Sequence, residues 1–230
     1  FVHCFLVILF TNIKISQLNK HIILFFLFFG SFILSIHAQN KVFIQTTEGN
    51  LIVKLYDETP QHRDSFLRLV AKSYYDSTLF HRVIKSFMIQ GGDPESRTAS
   101  PNKVFSDGGP GYTIPAEINE KHIHKKGALA AARQPDQYNS SKKSNGSQFY
   151  IIQGRKYPRA YLPKIENDKK VPYTEEQKKI YETVGGAPHL DGGYTIFGEV
   201  IADRIANAET NEKDRPKVNI RIIRMKVLND

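Results

Sequence analysis

From Lys41 onward the chain breaks into short apolar runs separated by glycine and proline, and this punctuation limits it to a protein built mostly of strands. "KVFIQT" (41–46) and "LIVKLY" (51–56) flank the turn-forming "TEGN", and Leu51, Val53 and Leu55 alternate with Lys54 and Tyr56, which predicts a hairpin. Further strands are predicted over 79–84, 87–90, 128–133, 147–152, 194–201 and 217–228, giving about eight in all. "GALAAAR" (127–133) is rich in alanine, the best helix former. It is too short for a free-standing helix and is bounded by Gly127 and Pro135, so it is read as a strand. One helix is predicted after Thr59 as N-cap and Pro60 at the first helical position, with Phe66, Leu69, Val70 and Ser73 along one face. A second short helix is predicted in "ADRIANAE" (202–209). Many strands with two helices point to a closed barrel or a sandwich.

Two segments depart from the strand rhythm. Residues 155–188 hold eight basic and five acidic residues with several prolines, which predicts an insertion that runs as a solvated surface excursion and carries one capped helix, 174–184. Residues 1–38 contain no acidic residue and hold two apolar stretches, the second over 22–36 and ending near Ala38. As a helix that stretch would span roughly 22 Å, short of the ~30 Å hydrocarbon core. A signal peptide cut after Ala38 is therefore expected, with an uncleaved membrane anchor as the alternative. The only methionines are Met88 and Met225, so residues 1–17 can precede the translated start.

Residues 39–230 form one domain-sized unit. Without the leader the net charge falls from +9 to +7 through loss of Lys14 and Lys20, and the sole cysteine, Cys4, goes too. No disulfide or thiol chemistry is then expected, and export is compatible with that. Lys and Arg are scattered rather than massed, so no nucleic-acid partner is expected. His122 and His124 in "KHIHKK" lack an evident third ligand and are expected in a solvated loop; neither metal nor other cofactor is expected.

"FHRVIKSFMIQGGD" (80–93) sets Arg82 and Gln90 among Phe87, Met88 and isoleucines. Strand alternation puts Arg82 on the face opposite Val83, and Met88 with Gln90 but not with Phe87 or Ile89, so a kink at "KS" is needed to bring Phe87 toward Arg82. With "SNGSQFYI" and "HLDGGYTIFGEV" in this order, the segment resembles the cyclophilin family of peptidyl-prolyl cis-trans isomerases over about 41–228. The resemblance implies a mainly β fold: a closed eight-stranded antiparallel barrel capped by two helices, here with the partly helical insertion. It implies acceleration of X-Pro bond rotation in unfolded or exported polypeptides. Arg82 matches the catalytic arginine and Gln90 the glutamine that binds substrate backbone, Phe87, Met88 and Leu190 match pocket walls, and Ala132 matches a small residue beside the substrate chain.

Four positions depart from the best-known animal pattern. Tyr150 stands for phenylalanine and keeps the ring; Arg133 stands for asparagine and brings a long cation near the substrate backbone; His189 replaces a tryptophan that grips cyclosporin, so weak drug binding is expected; Tyr194 replaces histidine with another aromatic wall. His81 has no task in this chemistry and is expected to be structural. A monomer in the periplasm or another extracytoplasmic space is expected, touching membrane only through an uncleaved N-terminal segment. The competing function is a cyclophilin-like holdase that grips proline-containing chains with little turnover.

Overall fold

Antiparallel ladders account for most of the chain in the computed structural model, which describes residues 40–98, 103, 105, 107–203, 216 and 218–228. The expected hairpin is β1 (Lys41–Thr46) and β2 (Gly49–Leu55), paired from Lys41↔Lys54 to Thr46↔Gly49. The remaining sheet strands are β3 (Arg82–Ile84), β4 (Met88–Gly91), β6 (Ala128–Ala131), β8 (Phe149–Ile152), β9 (Ile196–Asp203) and β10 (Ile222–Leu228). They form one eight-stranded sheet in the order β10-β1-β2-β9-β6-β8-β4-β3, while β5 (Thr113–Ile114) and β7 (Ser144–Asn145) pair separately.

The sheet curls, and each strand sends alternate residues into the interior. Val42, Ile44, Leu51, Val53, Leu55, Leu129, Phe149, Ile151 and Phe197 meet there in one cluster. β6 and β8 are buried at every position, because a second apolar cluster containing Ala128, Ala130, Tyr150 and Ile152 covers their outer face. This explains why "ALAA" is a strand despite its helix propensity: with β8 on one side and β9 on the other, pairing overrides an intrinsic preference worth only tenths of a kcal/mol per residue.

The expectation of a fully closed barrel needs correction. No strand ladder joins β3 to β10; the seam is held by single backbone bonds from the segment ahead of β3, Ser77 N to Ile222 O at 2.8 Å, Ile222 N to Thr78 O at 2.8 Å and Phe80 N to Ile220 O at 2.9 Å. Ser77 lies at φ 66° and Thr78 Oγ1 donates back to Tyr75 O, so this segment is turn-like and cannot extend a ladder. The predicted helix at 202–209 cannot begin at 202, since β9 continues through Asp203; residues 204–209 lie outside the described residues, as does the leader. Among the described residues no helix is long and apolar enough to cross a membrane.

Helix α1 (Pro60–Ala71) starts at proline as expected and buries Phe66, Leu69 and Val70, whereas Ser73 lies beyond its end at φ 53° and is exposed. Thr59 takes the N-cap position as expected, its carbonyl accepting from Arg63 N at 3.0 Å, but its side chain does not cap the helix. The carboxylate of Glu117 does, accepting from Gln61 N at 3.0 Å and His62 N at 2.9 Å, where the helix dipole favours an anion. Its Oε2 also lies 2.6 Å from His62 Nδ1, and His62 Nε2 lies 2.9 Å from Ser144 Oγ. Burial pushes His62 below the usual imidazole range although Glu117 pulls the other way.

The insertion is not a solvated excursion. It folds as a 3-10 turn at Arg159–Tyr161, α2 (Leu162–Lys169) and α3 (Glu175–Thr183), the last being the expected capped helix, with a capping box between Thr174 and Gln177. Leu162, Val171, Tyr173 and Tyr181 join Ile123 in a third buried cluster, with Leu162 and Tyr181 fully buried. Gly154 and Gly186 form the seam to the barrel: a Cβ on Gly186 would lie 2.2 Å from His124 O, and one on Gly154 would lie 2.5 Å from Gly186.

Replacing Glu117 by alanine removes the α1 cap and the partner of a buried imidazole together, and is expected to cost about 1–3 kcal/mol. Denaturant midpoints check this: an unchanged midpoint for Glu117→Ala would contradict the capping role, and Glu117→Gln, which keeps one acceptor, should fall between the two.

Candidate active site

Register places the outer-face residues in a row. Arg82 on β3 pairs with Gln90 on β4, Gln90 with Tyr150 on β8, Tyr150 with Ala130 on β6 and Ala130 with Ile196 on β9. Directly opposed residues share a face. The next row along contains Ile84, Met88 and Ile152. Met88, Ala130, Tyr150 and Ile152 are buried in the outer cluster, against which Ile84, Phe87, Ala132, Leu190 and Tyr194 pack. The kink expected at "KS" is present: Ser86 takes φ 60°, and Phe87 N donates to Ile84 O at 3.1 Å, turning Phe87 onto the cluster that holds Met88.

Arg82 is exposed, not half-buried, because β3 is the three-residue end of the sheet ladder. It stands at the end of the row that borders the apolar cluster. His81, one residue earlier, points the other way; it is buried, with its ring 5.6 Å from that of Phe105.

The amide of Gln90 is held in place. Its Nε2 donates to Gln148 Oε1 at 3.0 Å, and Gln148 Nε2 donates to Gly108 O at 2.9 Å and Asp93 Oδ2 at 3.2 Å. Asp93 is fully buried and its pKa is pushed up by burial. A Cβ on Gly108 would lie 2.0 Å from Asp93 Oδ1, so only glycine allows the carboxylate its place. Gln148 was not among the sequence candidates; it stands at the junction of the polar run "SNGS" (144–147) and the apolar run "FYII" (149–152).

The opposite wall comes from the 188–194 segment. Leu190 packs against the outer cluster, and His189 is exposed with its ring 5.2 Å from that of Phe87. Tyr194 meets Tyr150 edge to face at 5.8 Å, and the Arg133 guanidinium lies over the Tyr194 ring at 4.6 Å. The long cation of Arg133 is held by the protein itself. Its Nε donates to Gly193 O at 2.6 Å and its Nη1 to Gln134 O at 2.9 Å, Asp136 pairs with it at 2.6 Å, and its side chain is 5% exposed. Ala132 is fixed by its N–H to Gln148 O at 3.0 Å.

Residues 41–227 match the family model for cyclophilin type peptidyl-prolyl cis-trans isomerase/CLD. The chain belongs to the cyclophilin family. This cyclophilin is similar to a Staphylococcus saprophyticus protein named as a peptidyl-prolyl cis-trans isomerase, 30% identical over 188 residues covering 79% of this chain and 88% of the other. It is 33% identical over 192 residues to a Streptococcus pyogenes protein named as a bifunctional phosphatase/peptidyl-prolyl cis-trans isomerase; the match takes in 80% of this chain but only 38% of that longer protein. A Cryptosporidium parvum cyclophilin type isomerase superposes with TM-score 0.61 at 25% identity, over 83% of this chain and 98% of that one. The crystal form of the same protein obtained in the presence of the dipeptide Ala-Pro gives a TM-score of 0.57 at 24% identity, over 83% and 99%.

Beneath the outer cluster a buried chain of polar groups joins Tyr150 to two residues outside the expected set, His124 and Asp191. Tyr150 Oη is 3.0 Å from His124 Nε2, and His124 Nδ1 is 2.6 Å from Asp191 Oδ1. His124 is fully buried, so the expected solvated loop is corrected at that residue. His122 is the more open of the two, stacked on Tyr56 at 4.1 Å. Among the described residues no group of three or more His, Cys, Asp or Glu could hold a metal.

Gln148→Ala leaves the Gln90 amide without its tether and a buried carboxylate short of a donor. It is expected to destabilise by about 1–3 kcal/mol and to lower isomerase kcat/KM by about tenfold. Paired melting and turnover measurements check this, and full activity at wild-type stability would exclude Gln148 from the site.

Proposed function

We propose that this cyclophilin turns over X-Pro bonds by using Arg82 to stabilise the twisted amide while the proline ring sits on Met88, Phe87 and Tyr150. The observation that carries this reading is the row Arg82–Gln90–Tyr150 across three paired strands, which sets one cation and one tethered amide beside an apolar floor. Rotation about an X-Pro bond is slow because it breaks amide resonance against a barrier of ~20 kcal/mol. At the twist the prolyl nitrogen regains its lone pair. A guanidinium beside it then donates a hydrogen bond that is stronger at the twist than in either planar isomer, the differential binding that catalysis requires. Arginine suits the task because it stays charged and its fork is rigid.

A gain of about four decades needs ~5.5 kcal/mol off the barrier, of which one well-placed donor supplies ~3–4 kcal/mol. The remainder is assigned to holding the proline on the apolar floor and the flanking backbone on Gln90. No nucleophile, general base or metal enters. The substrates are proline-containing polypeptides. An exported location is proposed from the apolar run over 22–36 and the small residue Ala38, and the compact unit that contains the sheet begins at Gln39. N-terminal sequencing of protein recovered outside the cytoplasm should read from Gln39; recovery only in membranes with residues 22–36 intact would favour an anchor instead.

Arg82→Ala should lower kcat/KM for a proline peptide by about 100-fold, with Arg82→Lys recovering only part of it. Since Arg82 is exposed, thermal midpoints should stay put. Equal rates for wild type and Arg82→Ala would reduce the chain to a proline-peptide binding module. In the same assay cyclosporin should inhibit only at micromolar concentration or above, because His189 offers no indole; nanomolar inhibition would refute that.

A further inference from the structure

The carboxylate of Asp191 is 3% exposed and receives four donors. On Oδ1 these are His124 N at 2.9 Å and His124 Nδ1 at 2.6 Å; on Oδ2 they are Tyr173 Oη at 2.6 Å and Tyr181 Oη. Tyr173 Oη also lies 3.2 Å from Pro188 O. A carboxylate only accepts, so His124 Nδ1 carries a proton. In the neutral ring Nε2 is then the acceptor, and Tyr150 Oη donates to it. Burial and the Asp191 charge push the phenols of Tyr150, Tyr173 and Tyr181 upward, which keeps all three as donors.

The two tyrosines that load Asp191 come from the insertion, Tyr181 from α3 and Tyr173 from the turn before it. The far end of the chain is the hydroxyl of the pocket floor. We propose that Tyr173 and Tyr181 are positioning residues for the isomerase site: through Asp191 and His124 they fix the orientation of the Tyr150 ring on which the substrate proline sits. The insertion is thus a strut under the pocket. Its hydroxyls fix the carboxylate, the carboxylate fixes the imidazole tautomer and plane, and the imidazole, stacked parallel to the Tyr150 ring at 6.0 Å and 8°, accepts the hydrogen bond of the Tyr150 hydroxyl. Tyr194 meets both rings edge to face, Tyr150 at 5.8 Å and His124 at 6.2 Å. This rests on the proposed function insofar as Tyr150 is the proline floor.

A double-mutant cycle on the full protein tests it, using Tyr150→Phe, the pair Tyr173→Phe with Tyr181→Phe, and all three together. Tyr150→Phe and the insertion pair should each lower kcat/KM for a proline peptide by about threefold to tenfold, the range of one buried hydrogen bond. Both losses should fall in KM with kcat nearly unchanged, because the floor holds the proline in ground and transition states alike. The triple variant should be no slower than Tyr150→Phe, since the strut acts only through that hydroxyl. Tyr161→Phe, at an exposed site on the same insertion, should change nothing. Losses that multiply in the triple variant, or an insertion pair as active as wild type, would overturn the inference. If the pair does not hold its fold, Tyr173→Phe alone enters the cycle, with Tyr181 still on the carboxylate, and multiplied losses overturn it equally. If wild type shows no turnover, the proposed function fails first; the cycle is then read on the Kd of the same peptide, where multiplied losses again overturn the strut.

Discussion

Behind the outer row Arg82–Gln90–Tyr150–Ala130 runs an inner row one residue along, Val83–Ile89–Ile151–Leu129, paired by the same ladders. The pleat links the two rows rigidly, because a slip of one residue in any ladder exchanges the faces. Such a slip would put the Arg82 guanidinium and the Gln90 amide into an interior of Phe149, Phe197 and aliphatic side chains, at several kcal/mol for each unpaired polar group, and would set Val83 and Ile89 in water. The register that packs the core is therefore the register that assembles the site. The outer cluster adds to this constraint, since β6 and β8 are covered on both faces and have no solvent-facing side to slip toward.

This is also why the faces of β3 and β4 are readable from sequence, while the roles of their residues come from the family resemblance. Arg82 opposite Val83, Met88 with Gln90, and a break at "KS" all follow from a period of two, and Ser86 at φ 60° supplies the break. What failed was mostly set by partners far along the chain. Thr59 is the N-cap residue, yet the side chain that caps the helix is Glu117, whose own N–H is held by Thr195 Oγ1 at 2.9 Å, and no local pattern announces a carboxylate more than fifty residues away. Nor does local sequence reveal that the Arg133 cation is taken up by Gly193 O and the Tyr194 ring, which arrive from a distant segment. Closure was overstated for a different reason: apolar alternation over 79–84 does not reveal that 77–80 meets β10 by single bonds rather than a ladder.

The insertion was misread because charge density masks a sparse apolar pattern. None of its charged residues is buried, while Tyr157, Leu162, Ile165, Val171, Tyr173, Ile180 and Tyr181 turn inward at irregular spacings that two short helices and their links bring together. A segment of this length buries too little to fold alone. It needs Ile123 from the barrel loop and, above all, Asp191, whose buried charge would be costly without the donors that Tyr173 and Tyr181 provide. The dependence is mutual: the barrel segment carrying His189 and Leu190 lies beside a carboxylate whose Oδ1 is served by His124 and whose Oδ2 takes both its donors from the folded insertion. Insertion and barrel thus meet in one polar network around Asp191.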